Sequence, residues 1–274
     1  ALIRKLQPEA CINVCGPDIR WCGNEAGHTR PAEWSVVPAR TKDTERTANL
    51  SQQSDDESFR QRKITASDQD LGSREVLANE PELIWYPAEV NTSIRPGWFW
   101  HAAENGKVRS LDELLHVYYN SVGGNATFLL NIPPTNEGLI HENDVKRLEE
   151  LGQHLEAVFR VNLLEKAALT ADTAADGHGI EAVREDSYSE HYQPEKGKNT
   201  AEITAKWDTP ANVGNIVLKE NILCSQRIEK IAVDAMVDSK LTEVYTGTVV
   251  GYKRIIPLKG VETNCIRIRI LDSR

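Results

Sequence analysis

Apolar positions recur along this chain with two different periods, and the change falls near residue 160. In the first part the helical spacing dominates. Leu2, Ile3 and Leu6, with Arg4 and Lys5 between them, predict the end of an amphipathic helix closed by Pro8. Ala10-Cys-Ile-Asn-Val-Cys15, between Pro8 and Gly16-Pro17, predicts a buried strand. Ser110 and Glu113 form a capping box, and Leu111, Leu114, Leu115 and Tyr118 then share one helical face. Thr127 to Ile132 predicts a second buried strand, ended by Pro133-Pro134. Asn143 or Asp144 opens a further helix, with Val145, Leu148, Leu151, Leu155 and Val158 on one stripe. Helix, strand, helix, strand, helix is the order of an α/β unit with parallel strands.

Beyond Val161 the period shortens to two. Ile203, Ala205 and Trp207 alternate with polar residues, and so do Ile266, Ile268 and Ile270. Ile216-Val-Leu218, Ile231-Ala-Val233 and Val249-Val250 add short β-rich runs bounded by Gly, Asn, Asp or Pro. Such spacing predicts a β-sandwich. The chain thus divides into residues 1–160 and 161–274. Within the first unit, residues 40–80 hold 9 apolar and 16 charged residues of 41, which predicts a polar surface insertion with a helical turn or two. A chain that starts on the last turns of a helix, without a methionine, reads as the later part of a longer one.

Composition narrows the function classes. The 274 residues are 40% hydrophobic, and 32 basic against 41 acidic residues give a net charge of −9. That excludes a disordered chain and argues against a nucleic-acid partner. No apolar run approaches the ~20 residues of a membrane span. Five cysteines (Cys11, Cys15, Cys22, Cys224 and Cys265) lack metal-ligand spacing, and the nearest histidine, His28, is isolated. Phosphate-loop, dinucleotide, Ser-hydrolase and zinc-protease signatures are absent.

Carboxylates beside tryptophans are what remains concentrated. Gly16-Pro-Asp-Ile-Arg-Trp-Cys-Gly-Asn-Glu25 is one such stretch; Trp85-Tyr-Pro-Ala-Glu89, with Ile94-Arg-Pro-Gly-Trp-Phe-Trp100, is the other. Each combines a strand with the loop that follows it, where (β/α)₈ barrels place catalytic groups. Sugar rings stack on indole, and glycoside hydrolysis needs two carboxyl groups.

These stretches resemble the α-L-fucosidases of glycoside hydrolase family 29. The likeness continues in order through Trp34-Ser35, Pro87 to Trp98, Tyr119-Asn-Ser-Val-Gly-Gly-Asn125, Leu129-Leu-Asn-Ile-Pro-Pro134 and Gly138-Leu-Ile140. Gly-Pro-Asp-Ile-Arg-Trp and Ser-Ile-Arg-Pro-Gly-Trp-Phe are similar to the branch acting on α-1,3/1,4-linked fucose. The resemblance implies the second half of a (β/α)₈-like barrel and hydrolysis with retention. It also implies a nucleophilic Asp in a Trp-Phe-Asp-Gly strand end upstream of Ala1, outside this chain. No metal or organic cofactor is implied, because protonation and carboxylate attack suffice.

On that resemblance Glu25 matches the acid/base, a task that calls for a raised pKa, with Trp21 supplying an apolar setting. Glu89 is the rival carboxylate, expected to hydrogen-bond substrate or to position Glu25. Asp18 and Arg20 either pair to orient the loop or meet sugar hydroxyls. Trp98 packs either against the apolar face of fucose or in the core, and Trp98 and Trp100 share one face while Phe99 points away. Asn131, at a strand end, reads as a loop anchor. Asn49 and Asn125 fit the glycosylation sequon.

The second unit is similar to the galactose-binding-like β-sandwich of factor V/VIII type C domains. Asn162 to Ala167, Trp207-Asp208, Thr246 to Ile255 and Asn264 to Ile270 carry that likeness. Packing against the first unit is favoured over sugar binding there. The expected partner is a fucosylated oligosaccharide or glycan, met by a secreted or periplasmic enzyme. The rival class is a non-catalytic carbohydrate-binding or structural protein on the same fold, which loss of the upstream Asp would indicate.

Overall fold

The computed structural model describes residues 2–13, 16–23, 25–42 and 70–274. They fall into two compact units, residues 1–153 and 154–274, divided inside a long helix.

In the first unit a three-stranded parallel sheet is the frame. Its strands are β1 (Arg20–Trp21), β4 (Ala88–Ser93) and β5 (Ala126–Asn131), in the order β1-β4-β5. β2 (Val36–Pro38) and β3 (Leu83–Trp85) make a separate antiparallel pair. Among the described residues of this unit the α-helices are α1 (Leu2–Leu6), α2 (Arg74–Leu77), α3 (Leu111–Ser121) and α4 (Glu142–Phe159). Parallel strands need covered faces. Cys22, Val90 and Val117 form the small core between sheet and α3, with Ala126 and Phe128 against it. The capping box is formed: Ser110 Oγ accepts from Glu113 N, and Glu113 Oε2 accepts from Ser110 N at 2.7 Å.

Several expectations are corrected here. Residues 10–13 form no strand, and Cys11 is exposed. Their backbone is spent locally: Ile12 N donates to Asp18 Oδ2, Asp18 N to Ile12 O, and Arg4 to Ala10 O. The buried line of α3 runs through Leu114, Val117 and Ser121, not Leu111 and Tyr118. On β5, Thr127 and Leu129 are exposed, so that strand is covered on one face only. On α4 Val145 is exposed and the other four stripe residues are half-buried; the buried member is a carboxylate, Asp144. Most of the polar stretch at 40–80 lies outside the described residues, but α2 gives it one helical turn. Asn125 is buried at φ 67°, and its amide donates to Glu33 O and Ser35 Oγ, so that sequon is closed to glycosylation; Asn49 lies outside the described residues. No helix among the described residues is long and apolar enough to cross a membrane.

The second unit is one antiparallel sheet in the order β6-β7-β10-β8-β9. These strands span Ala168–Ala171, Ala201–Leu218, Arg254–Ser273, Ile228–Val237 and Lys240–Gly247 respectively. The sequence suggests several short strands, but 203–218 is continuous and so is 254–273. Register shifts between Pro257 and Val261 and between Thr263 and Cys265 bend the long strands. Residues from both arms of β10, Ile256 and Ile266, therefore meet in one core with Val213, Ile231, Val233 and Val250. Each such aliphatic side chain contributes about 1.5–3 kcal/mol when fully buried.

On the outer face of β8, Asp234 lies between Arg267 and Arg269 of β10, with 2.8 Å contacts to both. Burial pushes its carboxyl upward, but the two guanidinium groups overcome this and hold it below its ordinary value. A lowered carboxylate stabilises the fold above its unfolded pKa of about 3.9 and ceases to do so as pH falls through the folded value. Asp234→Asn should cost about 2 kcal/mol at pH 7. In paired thermal melts, the gap to wild type should narrow as the buffer is acidified from about pH 3.9 through the folded value.

Candidate active site

The three strands run parallel, so the loops after them leave toward one end of the sheet; β4 and β5 end level at Ser93 and Asn131, and β1 ends earlier, beside Glu89. Register fixes this: Arg20 and Trp21 pair with Ala88 and Glu89, and Ala88 to Ser93 pair with Ala126 to Asn131. Glu25 follows β1, Trp98 follows β4, and Asn131 ends β5.

Glu25 and Trp98 meet. The indole Nε1 of Trp98 donates to Glu25 Oε2 at 3.0 Å, and both residues are half-buried. The loop after β4 is pinned by Asn131, whose Nδ2 donates to Trp98 O at 3.0 Å and to Ser93 Oγ at 3.1 Å. Asn131 is the loop anchor that its place at a strand end suggests. On the Glu25 side, Arg109 ties neighbouring Ala26 O to Thr92 Oγ1 and Ser93 O. Gly27, at φ +85°, is packed so closely that an added Cβ would lie 3.0 Å from Val117 Cγ2. A side chain there would meet both backbone strain and α3. Phe99 is 73% exposed while Trp98 and Trp100 are half-buried, although the segment is a bend and not an extended strand.

Glu89 stands on the face of β4 that also carries Asn91 and Ser93. It is fully buried, and among the described residues neither carboxyl oxygen has a partner at hydrogen-bonding distance and angle. Burial raises its pKa, with the neighbouring Asn13 side chain opposing the rise. Trp21 is buried too, and its indole N–H donates to Asn91 Oδ1 at 3.1 Å, not to Glu25. An apolar setting is what its ring can supply; its one donor is already committed.

Arg20 and Asp18 do not pair. Arg20 is buried, and its Nη2 donates to Glu33 Oε2 at 2.9 Å and to Trp34 O. Arg30 holds the other oxygen of Glu33 at 3.0 Å. Burial alone would raise the Glu33 carboxyl, but these two cations hold it below its ordinary value. Asp18 instead bonds Arg4 and accepts from Ile12 N; that backbone bond leads in lowering its pKa. The divergence has a simple cause, since residues two apart on an extended segment share a face only if both are extended, and Asp18 lies in a bend before β1. The expected Asp18–Arg20 pair is therefore not formed, and each side chain is engaged by other protein groups.

Glu33 and Arg109 carry no mark in the sequence, Asn91 and Arg95 appear there only inside longer motifs, and Asp144 only as a helix opener. Each is a buried polar residue. Their only signal in the chain is a charged or amide group within an apolar neighbourhood, which many surface residues share.

Residues 8–158 match the family model described as alpha-L-fucosidase. The chain is similar to alpha-L-fucosidase 1 of Arabidopsis thaliana, 33% identical over 285 residues, covering 100% of this chain and 51% of that protein. It also resembles a solved glycoside hydrolase 29 family member from an unknown rumen bacterium, at 28% identity and TM-score 0.71, covering 99% of this chain and 41% of that one. A Ruminococcus gnavus GH29 fucosidase, solved in complex with fucose, shares the fold at 24% identity and TM-score 0.77, covering 95% of this chain and 48% of that one. The chain spans about half the length of the curated relatives it matches, 49% and 51%. With more than half of its residues under the family model, and with the carboxylate–indole pair at the strand ends, the chain belongs to the alpha-L-fucosidase family.

Proposed function

We propose that this chain carries the acid/base half of a retaining glycoside hydrolase that removes α-L-fucose, α-1,3/1,4-linked, from oligosaccharides or glycans outside the cytoplasm. The observation that carries the reading is the Trp98–Glu25 hydrogen bond at the carboxyl ends of parallel strands. Here the three-stranded sheet is read as part of a (β/α)₈-like barrel, and the bent antiparallel sheet as a galactose-binding-like sandwich.

Chemistry then follows from the two carboxyl groups that retention needs. A nucleophilic carboxylate, outside these 274 residues, attacks the anomeric carbon while Glu25 gives its proton to the departing glycosidic oxygen. In the second step Glu25, now a carboxylate, takes a proton from water as that water's oxygen displaces the enzyme carboxylate. The two groups work about 5–5.5 Å apart. Trp98 holds one oxygen of Glu25 through both steps, so the carboxyl cannot rotate away from the leaving group. Glu89, buried on the neighbouring strand, is read as an acceptor or donor for a sugar hydroxyl, with Trp21 and Trp98 as apolar surfaces beside it.

Three outcomes are expected. The 274-residue chain alone does not turn over an aryl α-fucoside; release of the aryl chromophore would overturn the placement of the nucleophile. In the full-length enzyme, Glu25→Ala should lower kcat for substrates with poor leaving groups by about 10²–10⁴. It should barely affect glycosylation from fucosyl fluoride, which needs no acid, and equal losses on both would sink the assignment. For Glu89, a raised pKa in the folded state means that stability falls as pH rises from about 4.3 through the folded value. Glu89→Gln removes that fall, so its melting temperature in the 274-residue chain should gain on wild type between pH 4 and pH 7.

A further inference from the structure

Trp98 reaches Glu25 from a loop, and loops are held by what is buried under them. The segment leaving β4 reads Ile94-Arg-Pro-Gly-Trp98. Within it Arg95 is fully buried, and its guanidinium is committed to protein partners on two other segments. Its Nε donates to Asp144 Oδ2 at 2.9 Å, and its Nη1 to Asn105 Oδ1 at 3.1 Å. Asp144 is equally buried and belongs to the first turn of α4. One guanidinium therefore ties the start of the loop to two segments that lie 10 and 49 residues further on.

Three residues later the loop is fixed again, by Asn131 at Trp98 O. The same Asn131 amide reaches Ser93 Oγ, which accepts from Arg95 N at 3.3 Å. Between the anchors stand Pro96, whose ring locks φ, and Gly97. So short a span has little freedom to absorb a shift at residue 95. Whatever moves Arg95 moves the indole that holds Glu25.

We propose that Arg95 is a positioning residue of the acid/base apparatus, fixing the Trp98 indole, and through it the Glu25 carboxyl, from a buried site. The proposal rests on the reading of Glu25 as acid/base. It differs from a merely structural role in one respect: its loss falls on proton transfer to the leaving group, not evenly on all turnover.

Arg95→Lys is the informative variant, because it keeps a positive charge beside Asp144 while a single ammonium cannot reproduce the planar fork that reaches Asn105 as well. In the full-length enzyme, Arg95→Lys should lower kcat about tenfold for aryl α-fucosides with poor leaving groups. The loss for fucosyl fluoride should be about twofold or less. Trp98→Phe, which removes the indole N–H, should shift kcat in the same selective way. In the Trp98→Phe background, adding Arg95→Lys should then cost little more, because the connection it serves is already cut. Should Arg95→Lys fail to fold, Asn105→Ala removes only the second arm of the fork and should give a weaker loss of the same selectivity. Losses equal across leaving groups, or fully additive effects of the two substitutions, would overturn the positioning role. If Trp98→Phe and Glu25→Ala themselves show no dependence on leaving group, the assignment of Glu25 fails, and the role of Arg95 with it.

Discussion

A hydrogen bond from an indole to a carboxylate, between residues 73 apart in sequence, is the constraint around which the first unit is organised. A carboxyl group proposed to hand a proton to one atom cannot be left to rotate freely on a loop. Glu25 is denied that freedom by Trp98, by the packing of Gly27 on α3, and by the hold of Arg109 on Ala26 O. Each restraint comes from a different segment, and all converge because β1 and β4 are parallel neighbours. Parallel pairing puts both exits at the same end of the sheet, which an antiparallel hairpin could not do.

The supporting shell is made of buried charge. Glu33 between Arg20 and Arg30, and Arg95 on Asp144, are pairs that apolar residues of similar volume would replace with little loss, or even a gain, in stability. Removing one member is another matter, at about 3–5 kcal/mol, because a bare charge then remains inside. What the pairs offer that apolar contact does not is direction. A guanidinium fork accepts partners only in its plane and at its tips, so it sets the relative placement of the segments it joins. Apolar contacts between the same segments would tolerate sliding. That distinction explains why so much charge is buried beneath these loops.

Much of the frame was legible in the chain because it rests on periodicity and local chemistry. The capping box at Ser110 needs only two residues three apart, and it is formed as expected. Helix α4 and strand β5 follow from their spacing in the same way, whereas β4 shows only as a strand somewhere in the apolar and aromatic stretch from Trp85 to His101. Glu25 and Trp98 stood out as acid and indole in strand-exit loops, but their contact depends on strand order, which no local pattern encodes. Asp18 and Arg20 show the opposite failure. Their proximity in sequence suggested a pair, yet Arg20 points to Glu33 and Asp18 to Arg4. The continuous strands of the second unit were read as short runs because a β-bulge leaves polar and glycine residues in mid-strand, as at Lys259-Gly260 in β10.

Register finally decides which residues can take part in chemistry at all. On β4, Val90 faces α3 and packs with Cys22 and Val117, and Thr92 bonds Arg109 on the same side. Glu89, Asn91 and Ser93 therefore face the other way, toward Trp21 and Asn131. A slip of one residue would exchange the two sets, burying Glu89 against the helix and turning Val90 to the polar side. On the polar face the Trp21–Asn91 and Asn131–Ser93 hydrogen bonds oppose such a slip, although among the described residues Glu89 adds none. On the apolar face the packing of Val90 with Cys22 and Val117 opposes it as well. The core beneath the sheet thus helps to present the polar residues above it, and a substitution at Val90 would be felt on the opposite face, where it has no atoms.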